Sequence, residues 1–161
     1  MQHRIEDPDI FFRQFPKLPR NLRPSSEATE KYICFSLAVG DTKRIWSPCK
    51  YAYWLPGVPR SRSVSSFVKL FTALGYVKCA DGVFERGVRK IAIFSCGGQV
   101  KHVAVQPPGR DGKWHSKMGG NVNIMHTLAE ISGDFYGSVS QFMRERKPSR
   151  AGRVRISATT T

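Results

Sequence analysis

The chain has 161 residues, 40% hydrophobic and 11% aromatic, a composition that excludes wholesale disorder and suits one compact domain with a real core. A formal net charge of +14 and a pI of about 10.1 imply attraction to anions (nucleic acid, anionic membrane, cell-wall polymer or an acidic protein partner) without choosing among them. No stretch reaches the roughly 18 apolar residues of a membrane span, and the opening Met1-Gln2-His3-Arg4-Ile5-Glu6-Asp7 has no apolar run behind a basic start, so neither a membrane span nor a standard secretory signal is expected.

Residues 1–24 read as an irregular anchor. Pro8, Pro16, Pro19 and Pro24 break any long element, while Ile10, Phe11, Phe12 and Phe15 are expected to pack on the domain. A helix is predicted over 26–39, with Ser26 as its cap, Glu27 and Glu30 in its first turns and Gly40 as its stop. Its start matters. If the backbone stays extended through Tyr32-Ile33 and turns helical only at Cys34, that thiol meets the positive end of the helix dipole, which lowers its pKa. Residues 41–62 form a long loop whose Trp46, Tyr51, Tyr53 and Trp54 either line a cleft or pin the loop to the core. Val64, Phe67, Leu70, Phe71 and Leu74 follow helical spacing between Ser63 and Gly75, which predicts a core helix. Strands are predicted over 76–78, 89–96, 100–106 and 113–117, the last two joined by the turn Pro107-Pro108-Gly109-Arg110-Asp111-Gly112. Asn123 is expected to cap a short helix through Ile131, and 136–143 to form a last strand. Helices first and antiparallel strands later give an α+β class. The division expected is an N-terminal anchor (1–24), one α+β domain (25–146) and a basic, flexible tail (147–161), with a dense basic run from Arg144 to Arg155 (Arg144, Arg146, Lys147, Arg150, Arg153 and Arg155) across the boundary.

Of the four cysteines, none sits in a C-x-x-C pair, so neither a zinc site nor a thioredoxin-type motif is signalled, and reduced thiols are expected. A catalytic thiol needs an adjacent base and a group that orients the base. Cys34 is the candidate nucleophile and His102 the candidate base; strand alternation puts His102, Ala104 and Gln106 on one face and Val103 and Val105 on the other. His115, on the return strand, is the first choice for the orienting residue, with Asn123, His126 and Gln106 as alternatives. The Cys34 amide would contribute to an oxyanion hole at a helix start. Against this stands the plain reading of Cys34 as a small buried apolar residue and of His102 as a structural histidine. His102, His115 and His126 lack a compact metal motif, so no metal and no cofactor is expected.

The block His102-Val103-Ala104-Val105-Gln106, a glycine-containing turn and Gly112-Lys113-Trp114-His115 resembles the histidine hairpin of papain-like cell-wall amidases and endopeptidases. Tyr32-Ile33-Cys34, Ala38, Gly40-Asp41, Tyr53-Trp54-Leu55-Pro56-Gly57-Val58-Pro59-Arg60, Lys90-Ile91-Ala92-Ile93-Phe94, Trp114, Ser116-Lys117-Met118-Gly119 and His126 are similar to an uncharacterised bacterial domain family, which has asparagine before the cysteine, where this chain has Ile33, and tryptophan near Ser36. The resemblance implies a papain-like fold, with a helix carrying the cysteine packed on an antiparallel sheet. It also implies a thiol hydrolase cleaving an amide bond in a peptide, cell-wall peptide or protein modification. Such a protein would suit a bacterial effector or toxin, cytoplasmic or exported by a signal-less route, with a peptide or protein substrate and an acidic protein as partner or inhibitor. Two other classes remain: a basic nucleic-acid binder or metal-independent ribonuclease, and an interaction module that keeps the fold without the chemistry.

Overall fold

The computed structural model describes residues 2–109 and 111–146; the tail expected over 147–161 lies outside them. In chain order the elements are α1 (Pro8–Gln14), α2 (Cys34–Val39), α3 (Val64–Ala73), β1 (Tyr76–Cys79), β2 (Lys90–Cys96), β3 (Gln99–Gln106), β4 (Trp114–Lys117), β5 (Asn123–His126), α4 (Leu128–Ile131) and β6 (Ser138–Glu145). The strands form one open six-stranded sheet in the order β1-β6-β2-β3-β4-β5, every neighbouring pair antiparallel. The fold is therefore a mixed helix and sheet architecture, as the sequence predicted at that level. Among the described residues no helix is long and apolar enough to cross a membrane.

Both faces of the sheet are covered because the central strands are apolar on both. Ile91 and Ile93 of β2 with Val103 and Val105 of β3 meet Phe35 and Ala38 of α2 and Phe67, Leu70 and Phe71 of α3. Ala92, Phe94 and Ala104 turn the other way, under Phe11, Phe12, Phe15 and Leu18 of the N-terminal segment, with Trp114, Ile124 and Tyr136. Strand alternation thus sends consecutive residues into two separate cores.

Three expectations need correction. The N-terminal segment is not wholly irregular: Pro8 occupies the first turn of α1, where its missing N–H costs nothing, so a residue read as a breaker starts a helix. The helix predicted over 26–39 begins only at Cys34, with Ile33 extended at φ −125° and ψ −176°. Residues ahead of it run beside β5 instead: the Ser25 N–H donates to the Asn123 carbonyl at 2.8 Å, and the Asn123 N–H donates to Ser26 Oγ at 3.1 Å. Asn123 caps no helix. It opens β5, and α4 is capped by Thr127, whose N–H bonds Glu130 Oε1 at 2.8 Å while Thr127 Oγ1 accepts from the Glu130 N–H.

Candidate functional site

Cys34 is the first residue of α2 and is 6% exposed. Two side chains hold the extended segment in front of it. The Lys117 ammonium, wholly buried on β4, donates to the carbonyls of Thr29 (2.7 Å), Gly119 (2.6 Å) and Asn121 (2.6 Å). Asn123 Nδ2 donates to the Tyr32 hydroxyl at 3.1 Å. Inside the helix, Ser36 Oγ accepts from the Ile33 N–H at 3.4 Å and the Trp46 N–H at 2.9 Å, joining α2 to the aromatic loop. The thiol faces the amides of Val103, Phe35 and Cys34 itself; these favour the thiolate, but burial outweighs them and pushes the thiol up to about 11. A helix-start cysteine was expected to be acidified, and here desolvation reverses the sign.

His102 lies on β3 directly before Val103 and is fully buried. Its ring stacks on Tyr136, centroids 4.1 Å apart and planes 9° from parallel. Its Nε2 is 2.8 Å from Ser116 Oγ, and Ser116 Oγ is 2.6 Å from His126 Nε2. His126 Nδ1 lies 2.8 Å from the Thr127 carbonyl oxygen. Those contacts assign the protons. A carbonyl only accepts, so His126 carries its proton on Nδ1. Burial holds His126 down at about 4 and His102 well below 6.5, so both rings are neutral at pH 7. His126 Nε2 is then an acceptor, and the Ser116 hydroxyl donates to it. Ser116 Oγ in turn accepts from His102 Nε2–H. What remains is His102 Nδ1, a bare lone pair, buried and without a hydrogen-bond partner among the described residues.

The side chain that holds the His102 ring is therefore Ser116, next to the His115 expected there. His115 pairs with Val105 and Met125, but Ser116 faces His102, so His115 projects from the opposite face of β4 and is no partner for His102. Period-two alternation held the signal: Trp114 on the Ala104 face puts Ser116 there too. Gln106 shares the His102 face, yet its Nε2 serves the carbonyls of Gly82 (3.1 Å) and Gly112 (3.0 Å), tying loops at the far end of β3. Asn123 gives its Nδ2 to the Tyr32 hydroxyl, and its Oδ1 is buried without a partner among the described residues. Of the alternatives, His126 joins the cluster, through Ser116.

A family model described as a domain of unknown function (DUF7689) matches residues 23–144. The chain belongs to that family. The matched span holds Cys34, His102, Ser116, Lys117, His126 and Tyr136, so the whole polar cluster lies inside the DUF7689 domain, while α1 lies before it. No curated protein and no solved structure matches the chain.

Two cavities lie beside the aromatic loop and beside Tyr136, and Cys34 lines neither. One, of about 590 Å³, is lined by Ile33, Arg44, Cys49, Tyr51, Tyr53 and Arg62. In it the Ser47 hydroxyl, 3.1 Å from Cys49 Sγ, and the nearby Arg62 guanidinium lower the Cys49 pKa. The aromatic loop lines a cleft with Tyr51 and Tyr53, while Trp46 and Trp54 are buried in the core. The other cavity, of about 280 Å³, lies over Tyr136 on the opposite side. Among the described residues no group of three or more His, Cys, Asp or Glu stands close enough to hold a metal ion.

Proposed function

We propose that the domain is a papain-like thiol hydrolase acting on an amide bond of a peptide or protein. The observation that carries this reading is the unpartnered Nδ1 of His102. What supports it is a ring held at Nε2 by an oriented hydroxyl, with its other nitrogen left bare one residue from the amide that meets the Cys34 thiol, which supplies the reading's candidate base. In this reading Cys34, which makes no hydrogen bond to His102 among the described residues, attacks the carbonyl carbon as a neutral thiol once substrate is bound, and its proton passes to His102 Nδ1. In the same reading the amides of Cys34 and Phe35, which meet the thiol, donate to the oxyanion. The resulting imidazolium returns the proton to the leaving amine, and water then releases the acyl group from the thioester. Ser116 keeps His102 in the required tautomer, and His126 fixes the direction of the Ser116 hydroxyl.

Turnover of a peptide and isopeptide panel by the full chain and by Cys34→Ala, with acid-quenched intact mass, tests this. The expected result is an acyl adduct on Cys34 in the parent chain and none in the variant, with His102→Ala slowing the reaction on the order of 100-fold. Full activity in Cys34→Ala sinks the reading.

A second reading, an interaction module that keeps the fold without turnover, is favoured by the burial of Cys34 at 6% exposure and its pKa of about 11. It predicts no adduct with any substrate and alkylation of Cys34 only after unfolding.

A further inference from the structure

The proposed catalytic pair is closed to solvent. Cys34 is 6% exposed and His102 is fully buried, and neither lines the cavity at the aromatic loop or the one at Tyr136. No substrate amide reaches the thiol until a covering group moves. One side chain stands out as that cover. The Tyr136 ring lies flat on the His102 imidazole, and Tyr136 also lines the cavity of about 280 Å³, with Phe11, Phe15 and Phe135 around it. The same ring is near Cys34: burial first, and then the Cys34 thiol, raise the Tyr136 pKa. Tyr136 therefore stands between that cavity and His102, beside the thiol.

The backbone that carries Tyr136 has the ends of a hinge. Gly133 and Gly137 close a tight turn on each other, the Gly133 N–H donating to the Gly137 carbonyl at 3.0 Å and the Gly137 N–H to the Gly133 carbonyl at 2.7 Å. Both lie at positive φ, 154° and 78°, where other residues are rarely found. Between them Asp134 and Phe135 are exposed, and Tyr136 alone turns inward. Among the described residues no side-chain hydrogen bond ties 133–137 to the rest of the chain. On its outer side the turn is latched by Phe15, whose ring meets Tyr136 at 4.9 Å and Phe135 at 5.4 Å between centroids. Beside the turn, Lys17 Nζ donates to the Ser132 carbonyl at 3.1 Å. An exposed turn with glycine ends and an apolar latch opens more readily than the strands around it.

We propose that turn 133–137 is a gate on the Cys34–His102 pair, closed by Tyr136 and latched by Phe15. When the latch releases, the turn swings outward, Tyr136 leaves the imidazole, and the cavity of about 280 Å³ becomes continuous with the pair. Taken with the hydrolase reading, on which this part rests, access to the thiol is regulated by the N-terminal segment, which supplies Phe15 and lies before the matched family span of 23–144.

The test is native-state alkylation of the full chain with iodoacetamide, the modified cysteines being located by mass spectrometry. Cys49 and Cys96 are exposed and serve as references. In the parent chain Cys34 is expected to react slowly, with a urea dependence well below that of global unfolding, the mark of a local opening. Phe15→Ala is expected to speed Cys34 about tenfold, as the loss of two aromatic contacts implies, with the shallow urea dependence kept and Cys96 unchanged. Tyr136→Ala is expected to do at least as much. Should either variant fold poorly, the urea dependence of the parent chain decides alone. Reaction of Cys34 only with the slope of global unfolding, or at the parent rate in both variants, overturns the gate. Turnover of the peptide panel is measured in the same proteins. Faster alkylation in the variants without turnover by any of the chains keeps the gate and removes the hydrolase, whereas turnover by the parent chain with Cys34 alkylation unchanged in both variants keeps the hydrolase and removes the gate.

Discussion

At the scale of single residues, the site is decided by which atoms are left over. Ser116 bridges two buried imidazoles. Ser116→Ala removes an acceptor from one ring and a donor from the other, stranding two buried polar atoms. A loss of about 2 kcal/mol or more in urea unfolding is expected, and in the hydrolase reading a fall in turnover with KM little changed, because the tautomer of His102 is no longer imposed. A change confined to stability would make Ser116 a purely structural bridge. The same burial sets a pH dependence. His126 has a folded pKa of about 4 against an ordinary 6.5, so between those values the unfolded chain binds a proton that the native one does not. Stability is full above pH 6.5 and falls as the pH drops toward 4, by about 3 kcal/mol from this residue, and His102 adds to it in the same direction. Urea midpoints measured from pH 7.5 to 4.5 check this. A flat profile would mean that the rings are solvated.

The elements were legible where a local signal was strong and lost where a distant partner decided. The α3 helix was predicted to within a residue, because Ser63 and Gly75 bracket an apolar face with helical spacing. Ser63 Oγ accepts from the Ser66 N–H at 3.2 Å, as an N-cap should. Ser63→Ala is expected to cost about 1 kcal/mol, measurable as a shifted thermal midpoint. The stretch 26–33 also reads as helical, with a cap residue and acidic first turns, but tertiary partners override it. Lys117 claims the Thr29 carbonyl and β5 claims Ser25 and Ser26. No local pattern announces those partners. For the same reason Cys34 and His102 could be chosen by residue type, whereas the choice between His115 and Ser116 needed the parity of β4. Gly137 marks the opposite case, a single atom that matters to an element. At φ 78°, a Cβ there would lie 2.0 Å from the Ser95 carbonyl. Gly137→Ala is expected to destabilise the chain more than Ser63→Ala does, and the same thermal scan ranks the two.

For the whole molecule, the question is what keeps the His102 face dry. Apart from Cys34 at the start of α2, whose thiol meets the Val103 amide and is felt by Tyr136, the α2 and α3 helices cover the opposite face, so His102, Ser116 and Tyr136 depend on the N-terminal segment. That segment is held chiefly by apolar contact. Phe15 packs on Tyr136 at 4.9 Å between ring centroids and on Phe135 at 5.4 Å, and Phe11 and Phe12 join the same core. Each such ring contributes roughly 2 kcal/mol of burial, set against the entropy of ordering a terminal segment. Removing it opens the ceiling over Tyr136 and lets water toward His102. A chain lacking residues 1–18 is therefore expected to bind an apolar dye and to lose thermal stability. Its His102 should titrate closer to 6.5, because burial is the main cause of its depressed pKa. Phe15→Ala is the milder variant should the truncated chain not fold; it is expected to cost about 3 kcal/mol and to raise the His102 pKa part of the way. Imidazole proton shifts followed against pH give the answer in either protein. If His102 titrates as low as in the parent chain, the sheet alone shields the base and α1 only anchors the chain. If its pKa rises, the segment that precedes the matched family span sets the basicity of the group proposed to take the thiol proton.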